Sequence, residues 1–336
     1  MKLVLKKYLL ELKETFTISR GSRDFQETLI VGLSKNGETG YGEAIAYPYY
    51  GVSCESMITE IAALKKAIEG FNFTSPEAFY KFLLEKKLST FSRSALDLAA
   101  WDLYGKLQGK ALYKLWETPL ATYPITNYTI GIASVEKMAA KIKATPWPIY
   151  KIKLGTSDDV DIIKALRKHT NAIFRVDANG AWTPSETLEN ALQLKNLGVE
   201  FIEQALKADD WEGMKWLKAK CCLPLIADES CLLETDVELC AQYFDGINIK
   251  LMKCGGLTPA RRMIKKGRDL GLKIMMGCMC ESTVGISAIA QLLPQLDYVD
   301  MDGALLLKND IAQGVKILDY GKIVFPKLGG SGVRLF

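Results

Sequence analysis

Residues 149–179 read IYKIKLGTSDDVDIIKALRKHTNAIFRVDAN, and this stretch decides the fold class. It begins with a short β run, Ile149–Leu154, continues through an amphipathic segment, and ends in a second β run, Ala172–Val176. A strand, a helix and a second strand in this order make one β/α unit with parallel strands. The chain repeats the same pattern from about residue 123 onwards.

Eight β runs of this kind occur, and their starts are 22 to 29 residues apart. That spacing is the length of one strand–helix unit. Eight units predict a closed parallel barrel. An open doubly wound sheet is the alternative, but no GxGxxG motif follows the first strands. The runs are Ile125–Ile130, Ile149–Leu154, Ala172–Val176, Phe201–Glu203, Pro224–Ala227, Gly246–Ile249, Lys273–Met276 and Tyr298–Met301.

The sequence before the barrel predicts an α+β unit. Residues 1–50 have the pattern of three strands, and Lys35-Asn36-Gly37 is a hairpin turn signal. Helical periodicity follows over residues 53–118. The tail Ile317–Phe336 predicts short strands that return to the first unit. We therefore expect a capping domain, a barrel and a C-terminal return at 1–120, 121–312 and 313–336.

Composition excludes several classes of protein. The 43 basic and 39 acidic side chains give a formal charge of +4, without the basic run typical of nucleic-acid binding. No apolar run is long enough to span a membrane, and lysines and glutamates interrupt the N-terminal hydrophobic residues, unlike a signal peptide. Eight cysteines without a secretory signal favour reduced thiols and a cytoplasmic location, and no CxxC pair indicates a structural zinc site.

The only histidine, His169, follows Arg167-Lys168 where a helix should end, so we expect it to be exposed. A single histidine excludes zinc sites of the HExxH type. General acid–base chemistry must then come mainly from Lys, Asp, Glu, Tyr or Cys side chains.

Polar residues stand where each barrel strand should end. The carboxyl ends of barrel strands surround one mouth, where such folds place their chemistry. Residues two apart in a strand point to the same side. From the second run to the eighth, these residues are Lys151 and Lys153, Asp177, Glu203, Asp228, Lys250, Cys278, and Asp300 with Asp302.

Three carboxylates on consecutive strands predict a site for one hard cation, because unpaired they would repel one another. Oxygen ligands of this kind suit Mg²⁺. Lys153 and Lys250 follow the second and sixth strands, which are opposite each other in an eight-stranded ring. A lysine becomes a useful base when nearby positive charge lowers its pKa, and Lys151 could do this for Lys153. Two facing lysines suit a racemase or epimerase.

These motifs resemble those of the enolase superfamily, in its muconate-lactonizing-enzyme-like branch. The resemblance covers essentially the whole chain and implies a modified (β/α)₇β TIM barrel with an α+β capping domain. The chain is most similar to the dipeptide epimerases, in which the Asp300-x-Asp302 pattern binds the substrate ammonium. The motifs are KIK (151–153), DAN (177–179), Glu203-Gln204, ADES (227–230), NIKLMKCGG (248–256) and DMDG (300–303).

The resemblance also implies roles and a reaction. Mg²⁺ would be the cofactor, and a small-molecule dipeptide the substrate. The α-carbon of the C-terminal residue of an Ala-Xaa dipeptide would be inverted by two-base 1,1-proton transfer through an ene-diolate. The metal ligands would be Asp177, Glu203 and Asp228, the acid/base pair Lys153 and Lys250, and the substrate-binding residues Thr129, Lys151, Cys278, Asp300 and Asp302.

The identity of Xaa stays open. Arg20 or Arg23 could pair with an acidic residue, as in an Ala-Glu epimerase, whereas the tyrosines of 47–51 favour a small or hydrophobic Xaa such as Ala. N-acylamino-acid racemase and o-succinylbenzoate synthase would use the same lysines and metal, but neither requires Asp300 and Asp302. A non-catalytic Mg²⁺-binding barrel should lack a lysine or a ligand, and none is missing. Members of this branch often form homo-oligomers, but the sequence does not specify the oligomeric state.

Overall fold

The computed structural model describes residues 1–336, and the chain begins with a three-stranded antiparallel sheet. Asn36 and Gly37 form the turn between the second and third strands, with φ of 52° and 83°. Positive φ at both positions is what an Asn-Gly hairpin turn requires, and the turn was predicted there. The strands are β1 (Lys2–Ile18), β2 (Gly21–Lys35) and β3 (Glu38–Ile45).

The segment Ile18–Phe25 contains the turn of a β-hairpin. Strand β1 continues to Ile18 and β2 starts at Gly21, so only Ser19 and Arg20 form the turn. The ladder continues to the tip because Ile18 pairs with Gly21. Gly21, at φ 138°, adopts a conformation that side chains rarely allow. The hairpin therefore holds Arg20 at a fixed position over the barrel.

Five helices complete the first part of the chain, and serines cap the first and the third of them. Ser53 and Ser75 cap their helices by accepting hydrogen bonds from Ser56 N (3.0 Å) and Ala78 N (3.1 Å). The helices are α1 (Cys54–Ala63), α2 (Lys65–Gly70), α3 (Pro76–Leu84), α4 (Thr90–Leu107) and α5 (Leu112–Leu115).

Helix α4 lies directly on β3 because two glycines leave no side chain between them. A Cβ on Gly42 would lie 2.0 Å from the Ala95 carbonyl oxygen and 2.6 Å from Ala99 N. At Gly40 the same atom would lie 2.1 Å from Leu103 N. All of these neighbours are helix backbone, which cannot rotate away as a side chain can. The helix and strand can keep this separation only with glycine at both positions.

Replacing Gly42 by Ala should therefore destabilise the protein by about 3 kcal/mol, the upper end of the usual cost of overpacking. Urea unfolding followed by circular dichroism measures the change. Gly70→Ala is the matched control, because no atom lies within 4 Å of the added Cβ. Equal unfolding free energies for the two variants would contradict this account of the α4–β3 contact.

The second part of the chain is a barrel of eight parallel strands, as predicted, which rules out the open-sheet alternative. The strands are hydrogen-bonded in sequence order. Between the last strand and the first, Asn127 N donates to Val299 O at 3.4 Å, so the ring is nearly closed. The strands are β4 (Tyr128–Ile130), β5 (Ile149–Lys153), β6 (Ile173–Asp177), β7 (Val199–Glu203), β8 (Leu225–Ala227), β9 (Gly246–Ile249), β10 (Lys273–Gly277) and β11 (Tyr298–Asp300).

Helices surround the barrel and fill the connections between its strands. They are α6 (Val135–Ala144), α7 (Asp159–Arg167), α8 (Pro184–Asn196), α9 (Trp211–Lys218), α10 (Val237–Tyr243), α11 (Leu251–Cys254), α12 (Leu257–Asp269) and α13 (Thr283–Ala290). His169 is exposed just beyond α7, as expected. All eight cysteines are unpaired. No helix in the structure is long and apolar enough to cross a membrane.

The residues after the barrel contact helices α4 and α5. Gly330 N donates to Lys110 O (2.9 Å), and Leu112 N donates to Gly330 O (3.1 Å). Ser331 donates from its backbone and its hydroxyl to Asp102 Oδ1, both at 2.9 Å. The domain boundaries at residues 120 and 312 stay a prediction. The short strands here are β12 (Ala312–Gln313), β13 (Lys316–Ile317), β14 (Ile323–Val324) and β15 (Arg334–Leu335).

Candidate active site

Three lysines reach the mouth of the barrel from opposite strands. Lys151 and Lys153 lie on β5, and both are buried. Lys250 directly follows β9 and precedes α11. Because β5 and β9 are the second and sixth of eight strands, the two sets of ammonium groups come from opposite sides of the ring.

Between these lysines, three carboxylates form an arc. Asp177 ends β6, Glu203 ends β7 and Asp228 follows β8. The strand register places Asp177 beside Glu203, and Lys153 beside Asp177. One oxygen from each of the three carboxylates lies within 4.8 Å of the others, and none of the three residues is exposed.

Each carboxylate of the arc is fixed through one oxygen by a buried donor. The donors are a backbone amide, a side-chain amide and a lysine, so the carboxylates cannot rotate freely. One bond of each kind is Asn179 N to Asp177 Oδ1 (2.9 Å), Asn248 Nδ2 to Glu203 Oε1 (2.8 Å) and Lys253 Nζ to Asp228 Oδ1 (2.6 Å).

The second oxygen of each carboxylate faces one of the three lysines. Lys151 Nζ donates a hydrogen bond to Glu203 Oε1 at 2.9 Å. It lies close to Glu203 Oε2 as well, but without hydrogen-bond geometry. Three fixed carboxylates, with one oxygen of each within 4.8 Å of the others, form a donor set that fits a hard divalent cation. The pairs are Lys153 Nζ to Asp177 Oδ2 (2.6 Å), Lys250 Nζ to Asp228 Oδ2 (2.6 Å) and Lys151 Nζ to Glu203 Oε2 (2.7 Å).

Burial and neighbouring charge shift the pKa values of the arc in different directions. Burial raises the pKa of Glu203 to about 7, and the nearby Asp177 carboxylate adds to the rise. Burial acts in the same direction on Asp177, but Lys153 and Lys151 together hold its pKa below the ordinary value. The lysine ammonium groups therefore counteract burial more strongly at Asp177 than at Glu203.

Lys250 and Lys151 have pKa values shifted in the opposite direction to the one that a base requires. Burial would lower the pKa of Lys250, but the Asp228 carboxylate raises it well above its ordinary value. Asp300 and Glu203 likewise outweigh burial and raise the pKa of Lys151. The sequence predicts a lowered pKa for a catalytic lysine. Such a pKa therefore requires additional positive charge beside the carboxylates.

A second acidic pair lies at the opposite side of the mouth, where β11 meets β4. Asp302 accepts hydrogen bonds from Thr129 N (2.6 Å) and Thr129 Oγ1 (3.0 Å). Asn127 Nδ2 donates to Asp300 Oδ1 at 2.8 Å. The Cys278 sulfur lies within 4.8 Å of an oxygen from each aspartate. Burial, together with the adjacent Asp300 carboxylate, raises the pKa of Asp302 to about 7.

Lys151 connects the two acidic groups. Its Nζ lies 2.8 Å from Asp300 Oδ2 and 2.7 Å from Glu203 Oε2. It is buried and contacts Asp177 as well, at 3.3 Å. One ammonium thus bridges the arc and the aspartate pair.

A cleft of about 550 Å³ opens between the barrel mouth and the first part of the chain. Lys153 and Lys250 both line it, so both ammonium groups face the same space. The opposite wall is formed by the β1–β2 hairpin and the segment after β3, through Phe16, Ile18, Arg20, Arg23 and Tyr47. The remaining barrel residues of the lining include Thr129, Cys278, Asp300 and Asp302.

All ten residues singled out from the sequence meet at this mouth. The sequence motifs included Asn248 and Lys253 without assigning them a supporting role, and Asn127 was missed. Lys253 stands three residues after Lys250, one helical turn away, which was a usable indication of proximity. Asn127 had no such indication, because its contact with Asp300 joins residues 173 apart.

The structure has the features of a barrel enzyme. The barrel of eight strands is nearly closed, its lysines face each other around a carboxylate arc, and an α+β unit covers its mouth. Residues 3–116 match the model of the mandelate racemase / muconate lactonizing enzyme N-terminal domain, and residues 133–335 match the enolase C-terminal domain-like model. The chain belongs to the enolase superfamily, and similar sequences place it among the dipeptide epimerases.

The relatives match over the full chain. An L-Ala-D/L-amino acid epimerase of Maribacter sp. is 66% identical over 100% of this chain and 99% of that protein. A second, from Flavobacterium johnsoniae, is 54% identical over 100% of both. The solved dipeptide epimerase of Cytophaga hutchinsonii, in complex with Mg and D-Ala-L-Val, has a TM-score of 0.94 at 26% identity and covers 99% of this chain and 95% of that one.

Proposed function

We propose that this protein is a Mg²⁺-dependent dipeptide epimerase that inverts the α-carbon of the second residue of its substrate. One observation carries the proposal: Lys153 and Lys250 face one cleft from opposite strands, with the carboxylate arc between them and the Asp300–Asp302 pair at the far side. A dipeptide offers a carboxylate at one end and an ammonium at the other, which matches these two groups.

Asp177, Glu203 and Asp228 would hold the cation, through the oxygens that are not fixed by Asn179, Asn248 and Lys253. When bound, the cation supplies positive charge beside the substrate carboxylate, where loss of the α-proton builds up a second negative charge. Lys151 contributes a fixed ammonium at the same place, since it is buried against Glu203. Both act where charge develops, which is where electrostatic stabilisation is most effective.

The proton transfer itself belongs to the two facing lysines. One lysine, as the neutral amine, takes the α-proton and becomes an ammonium, and the electron pair of the C–H bond passes into the carboxylate as an ene-diolate. The other lysine, as an ammonium, returns a proton to the opposite face of the carbon. Lys153 and Lys250 must leave Asp177 and Asp228 before they can reach that carbon.

Asp300 and Asp302 would bind the ammonium of the first residue. Asp302 is oriented by two hydrogen bonds from Thr129, and Asp300 by Asn127, so both carboxylates are held in place before a ligand arrives. The Cys278 sulfur lies within 4.8 Å of an oxygen of each aspartate, so the first residue of the dipeptide would lie beside it.

For the second residue we propose a small or hydrophobic side chain, as in Ala-Ala, and Ala-Glu is the alternative. Phe16, Ile18, Met279 and Leu306 supply apolar surface to the cleft. The test is to incubate the protein with Mg²⁺ and a panel of L-Ala-Xaa dipeptides in D₂O and follow loss of the α-proton by NMR. Exchange in none of them would refute the proposed function.

The paired aspartates also separate this function from an N-acylamino-acid racemase. Asp302→Asn should reduce kcat/KM for L-Ala-L-Leu by about 10- to 100-fold, because a hydrogen bond to a charged group contributes ~1.5–3 kcal/mol. N-succinyl-L-leucine carries no ammonium, so any turnover of it should change much less. A loss of the same size with both substrates would argue against the ammonium site.

A further inference from the structure

The tip of the β1–β2 hairpin carries an arginine that is already paired with a carboxylate of the barrel. Arg20 forms an ion pair with Glu229, whose side chain is only 4% exposed. Arg20 Nη1 also donates to Asn179 O at 3.1 Å, and the guanidinium lies 4.5 Å from the centre of the Tyr49 ring. These three contacts fix the guanidinium and leave its charge compensated.

Arg20 lies on the side of the cleft where the second residue of a dipeptide should extend. Asn179 and Glu229 follow β6 and β8, the third and fifth barrel strands. The Asp300–Asp302 pair belongs to the eighth strand and Thr129 to the first. The ammonium site and Arg20 are therefore on opposite sides of the mouth, with the two lysines between them.

We propose that Glu229 is a specificity-determining residue, which cancels the charge of Arg20 and makes the pocket for the second residue select neutral side chains. An acidic side chain could use Arg20 only by breaking its pair with Glu229. Glu229 Oε2 has no hydrogen-bond partner, so the buried carboxylate depends on Arg20. This inference rests on the proposed dipeptide epimerase function and specifies its substrate class.

The other cap arginine is held differently. Arg23 Nη1 donates to Gln26 Oε1 at 2.6 Å, and the guanidinium lies 5.0 Å from the centre of the Tyr47 ring. Its partners are uncharged, so it provides the same positive charge whether or not Glu229 is present. Any change in charge selectivity on altering Glu229 must then come from Arg20, and removing Arg20 should cancel it.

The experiment compares kcat/KM for L-Ala-L-Glu and L-Ala-L-Gln, which differ in charge but hardly in shape. Glu229→Gln should raise the ratio of the acidic to the neutral substrate at least about tenfold, since it frees one hydrogen-bonding charge for the ligand. The double variant Arg20→Met/Glu229→Gln should return the ratio to the wild-type value. Glu200→Gln is the matched control, because Glu200 pairs with Arg175 away from the mouth, and it should leave the ratio unchanged.

Two results would overturn the inference. One is an unchanged ratio in Glu229→Gln, and an equal loss of kcat/KM with both substrates would then assign Glu229 to the support of Asp228. The other is a lowered ratio in the double variant, which would show that Arg20 binds acidic residues despite Glu229. If Glu229→Gln does not fold, the double variant still decides. If the wild type epimerised none of the dipeptides in the panel, these two included, the proposed function itself would be refuted.

Discussion

Replacing either Lys153 or Lys250 by alanine is expected to abolish epimerisation, with kcat/KM for an L-Ala-Xaa dipeptide lowered by about 10²–10⁴-fold. Each lysine serves one face of the α-carbon, so the loss of either leaves no group to complete the inversion. Arginine at either position should be equally inactive, because it keeps the charge beside Asp177 or Asp228 but cannot act as a base.

Hydrogen exchange in D₂O distinguishes this scheme from a general loss of structure. A variant that lacks one lysine should still exchange the α-proton of one stereoisomer, through the lysine that remains, without producing the other. Lys164→Ala is a suitable control, since Lys164 is exposed on α7 and should retain full activity. Two-way epimerisation that persisted in both alanine variants would show that the two-lysine mechanism is wrong.

Removal of divalent cations should stop turnover almost as completely. A metal that stabilises developing negative charge contributes several kcal/mol to the transition state, so we expect a fall of about 10³-fold or more. Added Mg²⁺ should restore activity to a protein treated with a chelator. The three oxygens of the arc that face the lysines would bind it.

The control for this prediction is a measurement of whether the protein stays folded without the cation. Lysines contact all three carboxylates from within the chain, so the far-UV circular dichroism spectrum should be the same before and after chelation. Full activity in chelated protein would remove the cation from the mechanism. Inactivity accompanied by loss of secondary structure would instead assign it a role in folding.

The eight barrel strands could be predicted from the sequence because each combines an apolar run with a turn signal, but their limits could not. Strand β6 extends one residue beyond the predicted Val176, since Asp177 still pairs with Lys153 although its side chain is charged. Strand β7 begins at Val199 rather than Phe201, because Glu200 is compensated by Arg175. Hydrophobic patterns miss residues whose charge is neutralised by a neighbouring strand.

The site was predictable where its residues end strands, and not where they support one another across the chain. Lys151, Lys153 and Asp177 follow from the parity and order of the strands. The contact between Arg20 and Glu229 joins residues 209 apart, and no local pattern indicates it.

The contact between Asp102 and Ser331 has a consequence for how the protein is made. Asp102 is fully buried and accepts hydrogen bonds from Tyr41 N (2.8 Å) and Lys106 Nζ (2.7 Å), but its other oxygen is bound by Ser331, 229 residues later. On the ribosome, the N-terminal unit is synthesised first and completed only after the whole barrel has emerged. A chain that stalls in between would leave this carboxylate uncovered, and the surface around α4 open to proteases and chaperones.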